Sequence, residues 1–467
     1  MSKIADLLRR DFNKGLLAAA TSAFFGGCEK ILDDIANRPI RRNITSAEAA
    51  DDIAIYKNAV TAMKALPATD PRQWNNQANI HQNSCPHGNW FFLPWHRIYL
   101  SFFEQICREL TSKPKFALPY WNWGLSPSIP APFWPSGTPL YNPRGATASS
   151  LADGSFTGSA VLQSILAETN FQLFASLQSS APRGGTGGGY GRLEQTPHNY
   201  VHGFVGGEMG TYQSPRDPVF WSHHNMIELC WVDWNIYRGN QNTNDTSWMN
   251  WEFSEFFDAK GNPTKMTTAA SLLLPLLSYR YDADVAGTPK EAMQKEEHER
   301  ISKLVRQGAP SKLEFENKFE ISRDARAVVG KPEAFAIKVD SSALGSMLAP
   351  SGSKRLVLSV DGVTGPASPD FFVRVFLGNQ PPTDLNINNP SYAGSFAFFG
   401  DAHGGHGENH KLQFLVDVSE AARRMQQQGA LMKNGALNVF LVPVPFPGQD
   451  LKVREFSLGR LVLSNIK

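Results

Sequence analysis

Eleven histidines occur among the 467 residues, and seven of them fall into two compact groups. His81, His87 and His96 form the first, and His198, His202, His223 and His224 form the second. In Pro197-His198-Asn199-Tyr200-Val201-His202 the two histidines are four apart, so on a helix both imidazoles project from one face and chelate one ion. A third imidazole comes from Asp217-Pro218-Val219-Phe220-Trp221-Ser222-His223-His224. Helical neighbours point about 100° apart, so only one of His223 and His224 faces the metal. Two sets of three neutral imidazoles, each with an open coordination position, suit metal ions that bind a small ligand, and two such sites facing each other suit dioxygen. Copper, zinc, iron and nickel all accept these donors. Zinc with three histidines and water is the chemical alternative, for which a nearby acid or base would activate hydrolysis. Spacing alone does not choose among them.

The elements that must position these groups are helical. Tyr99, Phe102, Phe103, Ile106 and Leu110 recur at helical intervals after Pro94-Trp95-His96, where the helix is expected to start, and Ile227, Trp231 and Trp234 do the same over residues 223–237. Thr45-Ser46-Ala47-Glu48 offers a capping box for an amphipathic helix through Ile53, Ile55, Val60 and Met63, near which the folded domain starts. Residues 124–190, rich in Pro, Gly and Ser and ending in Arg183-Gly184-Gly185-Thr186-Gly187-Gly188-Gly189, read as long loops with short helical interruptions. Glu291 to Gln307 is charged and helical. After Lys331-Pro332 the texture changes to short alternating or β-branched runs: Phe335–Val339, Arg355–Val360, Phe371–Leu377, Leu412–Val418, Leu437–Val444 and Phe456–Leu463, separated by turn residues as in a β-sandwich. The expectation is an α + β multidomain chain, with a mainly α catalytic domain over 40–325 and a β-rich domain over 333–467.

The near balance of 45 Lys+Arg against 43 Asp+Glu, without long runs of like charge, offers no surface for nucleic acid or acidic lipid, so small molecules are the expected partners. Beyond the N-terminus no segment approaches the ~20 apolar residues of a spanning helix. Arg9-Arg10-Asp11-Phe12-Asn13-Lys14 precedes the apolar run Gly15 to Phe25, and residues 1–28 resemble a twin-arginine export signal. Such a signal implies a periplasmic or extracellular protein. Phe25-Gly26-Gly27-Cys28 has the form of a weak lipoprotein cleavage box, which makes Cys28 a candidate lipid anchor; ordinary cleavage nearby is the other reading. Cys107 and Cys230 read as small buried hydrophobes. His403, His406 and His410, in a Gly-rich loop, read as solvated histidines or a transient metal-binding tract.

The wording around the histidines narrows the metal. The stretch from His81-Gln82-Asn83-Ser84-Cys85-Pro86-His87 to Leu93-Pro94-Trp95-His96-Arg97 resembles the copper A segment of the tyrosinase, catechol oxidase and haemocyanin family. Pro197-His198 through His202-Gly203-Phe204-Val205-Gly206-Gly207, with Asp217-Pro218-Val219-Phe220 through His224, resembles its copper B segment, and Leu118-Pro119-Tyr120-Trp121-Asn122-Trp123 is similar to a family signature between them. The resemblance is dense over residues 40–240 and implies a four-helix-bundle core holding two copper ions with O2 as co-substrate. His81, His87 and His96 would bind one copper, and His198, His202 and His224 the other, with His223 beside them.

The resemblance implies further roles. Cys85 and His87 match the Cys-x-His arrangement that forms a thioether, the plain alternative being a buried thiol. Glu194 and Asn199 match a pair proposed to hold a water that deprotonates an incoming monophenol, which with a pKa of about 10 must lose its proton before meeting copper; a helix N-terminal Glu favoured by the dipole is the other reading of Glu194. Phe220 stands where the family has a gate residue, or is packed core. Relatives often carry Asn-x-Asp-Arg where this chain has Met226-Ile227-Glu228-Leu229, so the acid stays and the base is lost. Phe371–Leu377 and the run Ala393 to Gly400 loosely resemble strands of a β-domain that shields the site, in which Tyr392 or Phe396 would be plug or core. The function implied is a monophenol and o-diphenol oxidase making o-quinones. A catechol or o-aminophenol oxidase without the first step, and a haemocyanin-like dioxygen binder, are the alternatives.

Overall fold

The computed structural model describes residues 37–293, 295–348, 355–366, 368–400, 411–448, 451 and 455–466. The segment with Arg9, Arg10 and Cys28, and the loop with His403, His406 and His410, lie outside the described residues. By its contacts the chain divides into two units, one of Met1–Gln77, Leu93–Asn122 and His224–Pro310, the other of Ala78–Phe92, Trp123–His223 and Ser311–Lys467. Among the described residues, no helix is long and apolar enough to cross a membrane.

The helical part contains α1 (Ala50–Ala65), α2 (Trp74–Ser84), α3 (Phe92–Thr111), α4 (Asn199–Val205), α5 (Val219–Val232) and α6 (Lys295–Gln307). A short 3-10 turn, Ala47–Ala49, precedes α1, and the expected capping box is not made, the Thr45 hydroxyl donating instead to Asn43 Oδ1 at 3.1 Å. Helix α3 starts at Phe92 rather than at Pro94. Asn89 ends the preceding loop there, its side chain accepting from the Phe91 amide at 3.0 Å and its carbonyl from the Phe92 amide at 3.0 Å. Pro94 then falls in the first turn, where a missing amide proton costs nothing. Helix α5 is buried all round, as its Phe220, Trp221, Met226, Ile227, Leu229 and Trp231 require. Its start is fixed by Asp217, which accepts from the Val219 amide at 3.0 Å and is clamped by two Arg144 hydrogen bonds of 2.8 and 2.6 Å. Residues 124–190 carry only short helices, such as Gly154–Thr157, Ser159–Leu166 and Phe171–Phe174.

The C-terminal part is sheet: β1 (Phe315–Val328), β2 (Glu333–Lys338), β3 (Arg355–Val363), β4 (Phe371–Leu377), β5 (Tyr392–Ala397), β6 (Leu412–Asp417), β7 (Ala436–Pro445) and β8 (Glu455–Ile466). One antiparallel sheet runs β6-β3-β8-β1, and in the other β7 pairs with β4, β2 and the short Met432–Lys433, while β4 also pairs with β5. Alternation sends Phe371, Val373, Val375 and Leu377 of β4 into one core with Leu437, Val439 and Leu441 of β7 and Leu356, Leu358 and Val360 of β3. Strand β1 begins well before the texture change at Lys331-Pro332. Its apolar side chains, among them Phe319, Ile321, Ala325 and Ala327, are interleaved with charged and polar ones, so no continuous apolar run announces it. Contacts do not follow that texture change, because segments flanking His198 bond to strands. Tyr190 N donates to the Gln413 carbonyl at 2.8 Å, Gln195 Nε2 to the Leu415 carbonyl at 2.6 Å, and Asn199 Nδ2 to the Ala397 carbonyl at 2.8 Å.

Candidate metal centre

All seven histidines of the two groups are buried. In the second unit, the ligand atoms of His81, Cys85 and His87 lie within 4.8 Å of one another, as do those of His198, His202 and His223. His81 lies in the last turn of α2, and His198 closes a π-turn, Glu194–His198, that contains Pro197 and runs straight into α4. Pro197 withholds an amide from the ladder, which fits the widened turn, and such π-bulges recur at functional sites. His198 and His202 then stand with ring centroids 4.6 Å apart, as their four-residue spacing requires.

Hydrogen bonds sort the imidazoles by tautomer. His81 Nδ1 donates to the Tyr212 carbonyl at 2.8 Å, His202 Nδ1 to the Met209 carbonyl at 2.6 Å, His87 Nδ1 to Glu194 Oε1 at 3.0 Å and His198 Nδ1 to Asn199 Oδ1 at 2.8 Å. A neutral imidazole that carries its proton on Nδ1 presents Nε2 as a lone pair, the form a metal needs. His223 is the opposite case. Trp123 Nε1 donates to its Nδ1 at 3.1 Å, so the neutral ring carries its proton on Nε2. Burial pushes His81 down to about 3, which keeps it neutral, and a neutral ring is a precondition of binding metal. The donor set therefore fits metal ions taken through Nε2.

Glu194 and Asn199 reach the site by touching its histidines. Glu194 accepts from His87 Nδ1 and from the Gly88 amide at 2.9 Å on one oxygen, and from Ser176 Oγ on the other. Burial pushes its carboxyl up to about 8, against the hydrogen bonds from Ser176 and Gly88, and a cation bound nearby would draw it back down. Asn199 spends its oxygen on His198 and its amide on the Ala397 carbonyl. Both side chains orient imidazoles, contacts 107 residues apart for Glu194 and adjacent in sequence for Asn199. Phe220 is buried with its ring 5.1 Å from His81 and 6.0 Å from His202.

In the first unit, His96 and His224 stack with centroids 4.4 Å apart. Behind them Arg97 Nε donates to both oxygens of Glu228 at 2.9 Å, the Tyr279 hydroxyl donates to Glu228 at 2.6 Å, and the Arg97 guanidinium lies 3.4 Å over the Trp231 ring. The acid that lost its local base at Leu229 has found one on α3. Arg41, fully buried, ties Glu104 at 3.0 Å to Asn225 at 2.9 Å, the residue after His224.

The aromatic ring that reaches the histidines is not Tyr392 or Phe396 but Phe399. Tyr392 bonds Ser395 at 2.8 Å and packs on Phe376, and Phe396 stacks on Phe414 at 4.3 Å inside the β core. Phe399, three residues past Phe396, puts its ring 4.4 Å from His87, 4.3 Å from His202 and 5.4 Å from His198. It stood inside the quoted run Ala393 to Gly400, yet nothing local separates this phenylalanine from its core neighbours.

A buried set of imidazoles held in the Nε2-ligating form by carbonyls, a carboxylate and an amide defines a metal protein built on helices. Residues 59–150 and 138–236 match the family model described as the common central domain of tyrosinase. Polyphenol oxidase A1 of Vicia faba is 31% identical over 314 residues, which cover 58% of this chain and 52% of that protein; a tyrosinase of a Hahella strain is 26% identical over 494 residues, covering 88% and 96%. The chain spans about half the length of the plant relatives it matches. The solved structure of latent apple tyrosinase shares the fold, with a TM-score of 0.65 at 20% identity over 92% of this chain and 97% of that one. Residues 59–236 thus carry the central domain common to tyrosinases, and the relatives named here are tyrosinases and polyphenol oxidases.

Proposed function

We propose that the chain is a phenol oxidase in which His81, His87 and His96 hold one copper and His198, His202 and His224 the other, with catechols and monophenols as substrates. The observation that carries this reading is the commitment of Nδ1 in His81, His87, His198 and His202 to acceptors, which leaves Nε2 as the ligand atom in each. When bound, the copper pair supplies the exchange of electrons between phenol and dioxygen. The protein supplies rigid imidazoles, a dry aromatic surround and, beside His87, a Cys85 placed for a thioether. That cross-link joins Sγ to an imidazole carbon with loss of two hydrogens, the two electrons passing to dioxygen.

Phe399 lies where an incoming aromatic ring would approach His87 and His202, which supports a latent form that turns over slowly until this phenylalanine moves. A second reading is a catechol oxidase lacking the hydroxylation step, in which Glu194 and Asn199 serve to orient His87 and His198. Oxygen uptake by the copper-loaded chain with a tyrosine ester and with a simple catechol separates the two. Uptake with both supports the full reading, uptake with the catechol alone supports the second, and uptake with neither, even after Phe399→Ala, rejects both.

A further inference from the structure

The loop that carries Cys85 and His87 is crossed by the glycine-rich hairpin of residues 176–190. Gly189 N donates to the Gly88 carbonyl at 2.7 Å, Trp90 N to the Leu177 carbonyl at 2.9 Å, and Asn89 Nδ2 to the Pro182 carbonyl at 2.9 Å, while Arg183 reaches the carbonyl of Asn83 at the end of α2. The crossing is close enough that a Cβ at Gly188 would lie 2.8 Å from the Gly88 oxygen. At the end of the hairpin stands Tyr190, only 2% exposed. One face of its ring rests on Gly88, where a Cβ would come within 3.3 Å of Tyr190 Cζ at a backbone φ of +65°. Its other face stacks on Phe414 of β6, centroids 4.8 Å apart and planes 10° apart, and Phe414 stacks in turn on Phe396 of β5.

We propose that Tyr190 is a positioning residue of the metal centre: wedged between Gly88 and Phe414, it transmits the fixed position of strand β6 to the residue next to His87. The inference rests on the reading of His87 as a copper ligand. Gly88 is held from two sides, since its amide is fixed by Glu194 and its Cα face by the Tyr190 ring. The sheet region is then part of the scaffold of the site as well as the bearer of Phe399, and displacing Phe399 must leave β6 in place.

The test uses the full chain loaded with copper and challenged with a chelator, reading copper per chain beside the melting temperature of the metal-free form. The native chain and Tyr190→Phe, which keeps the ring, are expected to retain both coppers. His87→Ala is expected to lose one, and Tyr190→Ala to lose one at roughly tenfold to hundredfold lower chelator, the usual cost of removing support behind a ligand. Phe414→Leu, which removes only the far support, carries the same expectation and serves alone if Tyr190→Ala does not fold. Retention of both coppers by Tyr190→Ala and Phe414→Leu, where His87→Ala has lost one, overturns the positioning role and leaves the ligand reading standing. Parallel loss of both coppers in step with a lowered melting temperature also overturns it, as a purely structural effect. Retention of both coppers by His87→Ala removes the ligand reading and the inference with it.

Discussion

Arg97 and Glu228 meet through two hydrogen bonds of 2.9 Å, one residue after His96 and four after His224, and both side chains are buried. The pair joins the α3 and α5 backbones directly behind two stacked imidazoles. Removing one partner leaves an uncompensated charge indoors, which costs about 3–5 kcal/mol. Arg97→Leu is therefore expected to lower the free energy of unfolding by that amount and to weaken copper retention, and Glu228→Gln, which still accepts a hydrogen bond, to cost less. Urea titration of the two variants checks the order; equal losses would contradict it.

His223 and His224 differ in what their rings present. Since Trp123 donates to His223 Nδ1, His223→Gln is expected to keep two coppers per chain, and His224→Gln to keep one. Metal analysis after gel filtration reads the difference, and the reverse pattern would move the ligand to His223.

On the proposed function, Phe399 in its present place would compete with substrate. If the open form is about 1% of the population, apparent activity is reduced about a hundredfold. Phe399→Ala is expected to raise catechol oxidation toward that limit at unchanged copper content. Unchanged oxygen uptake in a folded, copper-loaded variant would show that this ring does not limit access.

The thioether is read by mass. A peptide containing Cys85 and His87, from chain assembled with copper and air, is expected to be lighter by two hydrogens and to resist thiol alkylation, with Cys85→Ser lacking both signatures. The full mass together with ready alkylation of the peptide would exclude the bond.

Copper should also hold the fold together. A ligand that binds the native chain at about a thousand times its dissociation constant adds about 4 kcal/mol. Chelation is expected to lower the melting temperature by several degrees, and copper to restore it; a melting temperature indifferent to copper would mean the imidazoles do not bind it.

Much of this centre was legible before any coordinates. His198 and His202 share a face because four residues is one helical turn, a local rule, and the segments from His81 to His96 and from His198 to His224 carry family wording in order. The strands of the C-terminal part announced themselves wherever alternation was apolar, as in Phe371–Leu377. Local rules failed where the partner was distant or interchangeable. The capping box from Thr45 to Glu48 did not form, and β1 carried no continuous apolar run. Glu194, expected to hold a water or to sit at a helix N-terminus, is bonded to His87, 107 residues away, because a buried carboxylate takes whichever donors the fold delivers. Glu228 found Arg97 across 131 residues of chain once its neighbouring base was absent. Among the phenylalanines near residue 396 only packing decided which faces the histidines. Residue type and short spacing determined two groups of candidate imidazole ligands, and the resemblance of the surrounding segments supplied copper and the class of chemistry. Tertiary structure alone decided the imidazole tautomers, the place of Phe399 beside the histidines and the seating of Tyr190 on Gly88, because each depends on atoms that only folding brings within hydrogen-bond or van der Waals reach.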